Sequence, residues 1–234
     1  MNIAPSSHSP ARPLRAVVFD LDGTLLDSLD DLAAATNRTL AAAGYPTHAP
    51  EAYKSFIGDG VTQLVRRATP AEVDDAAIPA LVERLRTDYA QNWRNKTKPY
   101  AGIEQTLAEL AARGLKLGVL SNKPHDFTLL MVRYFFPTIG WAAIAGGRPG
   151  VALKPDPEAA RAICEELGVV AEEAALVGDS GMDMAAASRA SMLAVGALWG
   201  FRTEEELRAH GAALLVAEPA ACAGALLDLA GVQS

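Results

Sequence analysis

Two rhythms of apolar and polar residues divide the chain. Short apolar runs that are typical of buried strands occur at 15–20, 115–122, 142–147, 174–180, 191–197 and 213–218. Segments with helical spacing occur at 101–113, 124–135, 156–167, 182–189, 203–209 and 219–230. Strands that alternate with helices predict the α/β class, with a parallel sheet covered by helices on both faces.

Residues 28–97 interrupt this alternation, because they contain helical patterns and no clear strand pattern. One apolar face includes Leu32 and Ala35, and a second runs from Ile78 to Trp93. We therefore expect an inserted helical cap at 28–97 and an α/β core made of 15–27 and 98–234. The segment 1–14 is rich in Pro and Ser, and we expect a disordered arm there.

Charge and composition narrow the classes of partner. The formal net charge is -7, and no basic stripe is present, so the sequence argues against nucleic-acid binding. No run of about 18 apolar residues occurs, so we expect no membrane span. Cys164 and Cys222 lack metal-ligand spacing and are interpreted as buried thiols, which suit a cytoplasmic protein. We expect this protein to be a monomer or a homodimer.

Polar side chains follow the predicted strands at the points where each strand ends. They are Asp20 and Asp22 after the first, Ser121 and Asn122 after the second, Lys154 after the third, and Asp179 and Asp183 after the fourth. Ligands of open parallel sheets bind beyond these carboxyl ends. Clustered acids repel one another unless a cation offsets them, and oxygen ligands suit Mg²⁺.

These residue types also suit phosphoryl chemistry. Hydroxyl, ammonium and backbone N–H groups bind phosphoryl oxygens, and a carboxylate beside them can act as a nucleophile. A second acid two residues on can carry protons. Each motif alone has a simpler interpretation: an Asp pair at a turn, a solvated lysine, an ordinary Ser-Asn turn. The order of all four motifs, and their placement at strand ends, favour a single functional site over these simpler interpretations.

The segments "FDLDGTLLDS", "VLSNK", "LKPDP" and "VGDSGMD" resemble the four signature motifs of the haloacid dehalogenase superfamily, in that family's order. The resemblance implies a Rossmann-like core with a helical cap. It assigns roles by position: Asp20 as nucleophile, Asp22 as general acid/base with its backbone carbonyl on Mg²⁺, Thr24 as support for the nucleophile loop, Ser121 and the Asn122 amide as phosphoryl ligands, Lys154 as a bridge from Asp20 to the phosphoryl group, Asp179 as metal ligand and Asp183 as metal support.

Within the superfamily, an acid at Asp22 implies phosphate-ester hydrolysis or the sugar-phosphate mutase reaction. Dehalogenases and phosphonatases lack that acid. The cap segment "SFIGDGVTQLVRRA" (55–68) resembles the substrate loop of phosphoglycolate phosphatases, as does "GALWGFRTEEEL" (196–207). In the segment 55–68, the candidate substrate residues are Gly58, Asp59, Gly60, Arg66 and Arg67. The alternative is a turn followed by an ordinary helix, with at least one arginine a solvated charge.

The resulting expectation is a Mg²⁺-dependent phosphatase that acts on a small phosphorylated metabolite, with 2-phosphoglycolate as the best candidate. A β-phosphoglucomutase-like mutase, a nucleotidase and a pyrophosphatase of the same superfamily remain open. A phospho-receiver-like signalling module and a non-catalytic scaffold are alternatives from other classes. The insert after the first strand argues against the receiver, and the complete set of key residues argues against the scaffold.

Overall fold

The structure is a computed structural model that describes residues 13–230. Most of the predicted arm at 1–14 lies outside the described residues, and Leu14 at its end is buried. The strands are β1 (Ala16–Phe19), β2 (Leu26–Asp27), β3 (Lys98–Pro99), β4 (Lys116–Pro124), β5 (Trp141–Gly147), β6 (Ala174–Gly178), β7 (Leu193–Ala197) and β8 (Leu214–Val216).

The helices are also numbered in chain order. They are α1 (Leu29–Ala42), α2 (Tyr53–Phe56), α3 (Val61–Ala68), α4 (Ile78–Asn92), α5 (Ile103–Ala112), α6 (His125–Phe135), α7 (Pro157–Leu167), α8 (Gly181–Ala190), α9 (Glu204–Ala209) and α10 (Pro219–Ala230). Each predicted strand and helix of the core is present, with ends shifted by a few residues at most. The short helix α2 was not predicted, because its sequence has no clear helical pattern.

Six parallel strands form the main sheet in the order β5-β4-β1-β6-β7-β8. β1 lies inside the sheet, with β4 on one side and β6 on the other. The strand order therefore reverses at β1, and a crevice for ligands is expected at the carboxyl end of this strand. This topology confirms the predicted α/β class.

The two faces of the sheet are covered by different helices. Val17 and Phe19 of β1 face the cluster that includes residues of α5, α6 and α10. Ala16 and Val18 face the cluster built by α7, α8 and α9. Successive side chains of a strand point to opposite faces, so a continuous apolar run such as "AVVF" is needed where both faces are buried.

Residues 28–97, the cap region, contain α1 to α4 and no strand. Helix α4 packs against α1 and α3. The short strands β2 and β3 pair antiparallel where the chain leaves and re-enters the core. The buried Asp31 carboxylate accepts hydrogen bonds from the backbone amides of Lys96 and Thr97, each at 2.8 Å, and fixes the returning segment. The division into two domains stays a prediction.

Within residues 13–230, no helix combines the length and the apolar character needed to cross a lipid bilayer. Cys164 and Cys222 are both free and buried, as the sequence analysis expected.

Candidate active site

The carboxyl ends of β1, β4 and β6 bring the predicted motifs together. Asp20 follows β1, Ser121 lies near the end of β4, and Asp179 follows β6. Lys154 precedes α7, and Asp183 lies in the first turn of α8. All five residues are buried, so the four charged side chains need partners within the protein or a ligand.

Lys154 connects two of the acids. Its Nζ lies 2.9 Å from Asp20 Oδ1 and 2.6 Å from Asp183 Oδ1, and it also donates to the Leu120 carbonyl at 2.7 Å. Burial alone would lower the pKa of Lys154, but the Asp183 and Asp20 carboxylates outweigh it and raise that pKa. The lysine is therefore a fixed positive charge beside Asp20, where the sequence predicted a bridge.

Asp20, Asp179 and Asp183 form a buried acidic cluster in which one oxygen from each residue lies within 4.8 Å of the others. Burial raises the pKa of Asp179 to about 8, and repulsion from Asp183 and Asp20 adds to the increase. Burial raises the pKa of Asp20 to about 6, although Lys154 opposes the change. A divalent cation between these oxygens would remove both penalties.

Two hydrogen bonds and two closely approaching glycines surround the Asp179 carboxylate. Thr24 Oγ1 donates to Oδ1 at 2.9 Å, and the Phe201 amide donates to Oδ2 at 2.8 Å. A Cβ on Gly23, whose φ is +87°, would lie 2.3 Å from Asp179 Oδ2, and one on Gly200 would lie 2.2 Å from Asp179 Cβ. Thr24 therefore holds Asp179, and the two glycines allow the backbone to approach it.

Asp22 points away from the acidic cluster. Its Oδ1 accepts from Ser28 Oγ at 2.6 Å, and its two oxygens lie 3.1 and 3.0 Å from Lys123 Nζ. The predicted metal contact of Asp22 uses its backbone carbonyl and stays a prediction. Its carboxylate, supported by a hydroxyl and an ammonium group, can exchange a proton with a group in the adjoining cavity.

Lys123 was missed by the sequence analysis, although it follows Asn122 directly. Its side chain is 5% exposed and contacts Asp22 and the hydroxyl of Tyr89, which is 3.1 Å from Nζ. The available signal was its neighbourhood: a lysine at the end of a buried strand needs a counter-ion, and the nearby acids supply one.

A cavity of about 70 Å³ opens beside these residues. Its polar lining includes Asp20, Asp22, Ser121 and Lys123 from the core. The cap region and the start of α6 supply an apolar wall of Leu32, Ile57, Val61, Leu64, Leu85 and Phe127. Its volume lies well below the ~300 Å³ at which pockets for drug-sized ligands begin, so the cavity suits a small ligand.

The predicted cap loop reaches this cavity through its backbone. Gly58 and Gly60 line it, and the Gly58 carbonyl accepts from Asn122 Nδ2 at 2.9 Å. Asn122 also exchanges two hydrogen bonds of 2.9 Å with the Lys154 backbone. Its side chain is thus a structural connector, and the phosphoryl contact predicted for its backbone amide stays a prediction. The core residue Arg202 donates to the Ile57 carbonyl at 2.8 Å.

The two arginines predicted as substrate residues, Arg66 and Arg67, are absent from the cavity lining. Arg66 donates to the carbonyls of Val73 and Ala71, at 3.0 Å each, and Arg67 pairs with Asp59. These contacts fit the alternative interpretation of ordinary helix charges. Among the described residues, the cavity is lined by two other cations, Lys123 and Arg86. Arg86 comes from α4 and forms an ion pair with Asp126 at 3.0 Å.

Four residues in or near the segments that resemble the family have ordinary contacts. Lys54 is a half-buried lysine paired with Glu51 at 2.8 Å. His125 Nδ1 accepts from the Gly146 amide at 3.1 Å, outside the cavity lining. Trp199 Nε1 donates to the Thr24 carbonyl at 2.9 Å, and Phe201 contributes its backbone amide to Asp179. The loop after β7 therefore supports the loop after β1 and orients Asp179.

A parallel sheet that gathers buried acids, a hydroxyl and a lysine where its strand order reverses has the arrangement of an enzyme site. Residues 17–197 match the family model of haloacid dehalogenase-like hydrolases. The phosphoglycolate phosphatase of Rhodospirillum rubrum is 37% identical over 201 residues, which cover 81% of this chain and 82% of that protein. The phosphoglycolate phosphatase of Pseudomonas putida is 34% identical over 212 residues, 86% of this chain and 76% of that protein.

The fold comparison agrees. A crystal structure described as a predicted phosphoglycolate phosphatase from Haemophilus somnus has a TM-score of 0.84 and 26% identity, and the match covers 91% of this chain and 97% of that chain. The chain belongs to the haloacid dehalogenase-like hydrolase family. It is a phosphoric monoester hydrolase, and the resemblance drawn from its motifs is confirmed.

Proposed function

We propose that this hydrolase is a Mg²⁺-dependent phosphatase that cleaves a small phosphomonoester through an aspartyl-phosphate on Asp20. One observation carries the proposal. Asp20 follows the central strand β1, lines the cavity, and holds its buried Oδ1 2.9 Å from the Lys154 ammonium. A carboxylate that faces the cavity and is fixed by a neighbouring cation can attack phosphorus as a nucleophile.

The acidic cluster fits a divalent cation. Its oxygens lie close together, the pKa values of Asp20 and Asp179 are raised by burial and mutual repulsion, and Thr24 orients Asp179. We assign Mg²⁺ to Asp20, Asp179 and the Asp22 carbonyl, with Asp183 as support through its contact with Lys154. When bound, Mg²⁺ would neutralise charge on the phosphoryl oxygens.

The residues of the chain then divide the chemistry. Asp20 attacks phosphorus, the P–O bond to the leaving group breaks, and Asp22 donates a proton to that oxygen. Ser121, the Asn122 amide and Lys154 hold the phosphoryl oxygens. Asp22, now ionised, takes a proton from water as the water attacks the aspartyl-phosphate. Phosphate leaves, and Asp20 returns to its carboxylate form.

For the substrate we propose 2-phosphoglycolate. The relatives named phosphoglycolate phosphatase support this choice, as does a small cavity that carries two cations in its lining. The free, buried cysteines are compatible with action on a small metabolite in the cytoplasm. The mutase, nucleotidase and pyrophosphatase reactions use similar core groups and differ in the leaving group or the acceptor.

A phosphate-release screen with Mg²⁺ tests the proposal. The panel holds 2-phosphoglycolate, nucleoside monophosphates, hexose and pentose phosphates, pyrophosphate and glucose 1-phosphate, with Asp20→Asn as the inactive control. We expect 2-phosphoglycolate to lead in kcat/KM. A nucleotide, pyrophosphate or sugar phosphate in first place would replace the substrate assignment, and no release from any ester would move the mutase to the front.

A further inference from the structure

Lys123 is a buried lysine in the cavity, and the proposed hydrolysis uses it only as a partner of Asp22 and gives it no contact with the substrate. It follows Asn122 in β4 and contacts the Asp22 carboxylate on one side and Tyr89 of α4 on the other. The ion pair with Asp22, at 3.0 Å, favours the ammonium form of Lys123, which has three N–H donors.

Tyr89 offers a second donor at the same place. Its oxygen accepts from Lys123, so its own proton must point elsewhere, and the acceptor in the described part of the chain is Met131 Sδ at 3.9 Å. A thioether is a weak acceptor. Burial raises the pKa of Tyr89 to about 12, so the hydroxyl keeps its proton. A buried O–H with so weak a partner gains much from an anionic acceptor.

The position of these donors relative to Asp22 specifies what they can bind. Asp22 is the proposed proton donor to the leaving-group oxygen, so the next atoms of the leaving group lie beside Asp22. Lys123 Nζ is 3.0 Å from Asp22 Oδ2. The cap side of the cavity is largely apolar, and its one other cation among the described residues, Arg86, is already paired with the exposed Asp126.

We propose that Lys123 Nζ and Tyr89 Oη form an anion subsite that binds the carboxylate of the leaving group. The inference rests on the proposed phosphatase function and names the residues that select its substrate class: phosphomonoesters with an acidic group one carbon from the ester oxygen. Neutral alkyl phosphates leave the ammonium and the hydroxyl without this partner and are therefore poor substrates.

A purely structural role for Lys123 gives a different expectation. If the lysine only holds Asp22 in position, its loss slows every substrate by the same factor. If it binds the substrate anion, its loss slows the anionic substrate more. The comparison of 2-phosphoglycolate with its neutral amide, 2-phosphoglycolamide, separates the two roles, because the substrates match in size and in the ester bond.

The variants are Lys123→Met and Tyr89→Phe, with Lys116→Met as the control. Lys116 lies at the other end of β4, where its Nζ donates to the Leu167 carbonyl. We expect Lys123→Met to lower the ratio of kcat/KM values, phosphoglycolate over amide, by about 10- to 100-fold. Tyr89→Phe should lower it by about 3- to 10-fold and carries the test if Lys123→Met fails to fold. An unchanged ratio in both variants would overturn the subsite.

Equilibrium binding gives a readout without turnover. In the Asp20→Asn background with Mg²⁺, calorimetry should show that Lys123→Met weakens 2-phosphoglycolate by at least about 10-fold and the amide by much less. Equally weakened binding of both ligands in Lys123→Met overturns the subsite. The subsite is also overturned if Arg86→Met is the one variant that loses the preference for 2-phosphoglycolate over the amide. Wild-type protein that releases phosphate from no ester contradicts the proposed function, whereas activity on the amide alone contradicts only the subsite.

Discussion

The hydroxyl of Thr24 donates to Asp179 Oδ1 across 2.9 Å and so joins the loop after β1 to the end of β6. Both residues are buried. The acid proposed as a metal ligand is thus oriented by the same loop that carries Asp20, the proposed nucleophile. Groups that orient metal ligands commonly change metal affinity by about 10- to 100-fold when they are removed.

Thr24→Val therefore should raise the Mg²⁺ concentration for half-maximal activity by about 10-fold or more while the fold is kept, because valine preserves the shape and removes the donor. Thr36→Val is the matched control, since the buried Thr36 hydroxyl donates to the Leu32 carbonyl in α1, away from the acidic cluster. A Mg²⁺ titration of both variants provides the check. Equal Mg²⁺ requirements in wild type and Thr24→Val would remove Thr24 from the metal site.

Alanine substitutions at two glycines can separate the effect of backbone strain from that of steric conflict. Gly23 and Gly44 have φ values of +87° and +77°, so alanine at either position costs about 1–2 kcal/mol of stability. A Cβ at Gly44 meets nothing within 4 Å, whereas one at Gly23 would lie 2.3 Å from Asp179 Oδ2.

We expect Gly23→Ala to lower kcat by about 100-fold or more, because a displaced Asp179 or nucleophile loop misplaces the reacting groups. Gly44→Ala should keep its activity and lose only stability. Thermal unfolding and kcat measured on both variants would decide the matter, and equal activities would show that the approach of Gly23 to Asp179 has no catalytic consequence.

The role of Asp22 predicts a dependence on the leaving group. Asp22→Asn should lower kcat by about 100-fold or more for an alkyl phosphate, whose leaving oxygen needs a proton. The loss should be smaller for p-nitrophenyl phosphate, whose leaving group needs none. Asp30→Asn, at an exposed acid of α1 paired with Lys96, is the control. The same loss for both esters would count against Asp22 as the acid.

The raised carboxylate pKa values predict a pH dependence of stability. Without metal, burial raises the pKa of Asp179 to about 8 and that of Asp20 to about 6, above their unfolded value of 3.8. The folded state therefore binds protons more tightly. The stability contributed by these protons is complete below the unfolded pKa and is lost as the pH rises through 6 and 8.

Divalent metal should reverse this trend, since it binds the ionised carboxylates and stabilises the folded state more as the pH rises. Melting temperatures measured in EDTA and in Mg²⁺ from pH 5.5 to 8.5 should diverge with increasing pH, and Asp179→Asn should reduce the divergence. A Mg²⁺ effect that is independent of pH would contradict a site built from Asp20 and Asp179.

The sequence predicted the core well because its signals are local. The run "AVVF" is apolar at every position, as a strand buried on both faces requires, and the acids that follow it mark the end where ligands bind. Apolar strand patterns of this kind end directly before or near four residues of the site: Asp20, Ser121, Lys154 and Asp179. Parallel strands place these ends at one edge, so the cluster could be expected without the strand order.

The cap residues of the site could not be predicted in the same way. Arg66 and Arg67 lie close in sequence to Gly58 and Gly60, but they turn to Val73 and Asp59. Arg86 lines the cavity because α4 packs beside α6, a tertiary relationship that the periodicity of α4 does not encode. Lys123 could have been found, since it adjoins a recognised motif and its burial requires a partner.

Covalent trapping at Asp20 is the decisive measurement for the proposed reaction. Enzyme turning over 2-phosphoglycolate with Mg²⁺ is quenched with acid and reduced with borohydride, which converts an aspartyl-phosphate into homoserine. Peptide mapping by mass spectrometry should find homoserine at position 20, and none there without substrate or in Asp20→Asn. Trapping at another residue, or steady turnover by Asp20→Asn with deamidation excluded, would contradict Asp20 as the nucleophile.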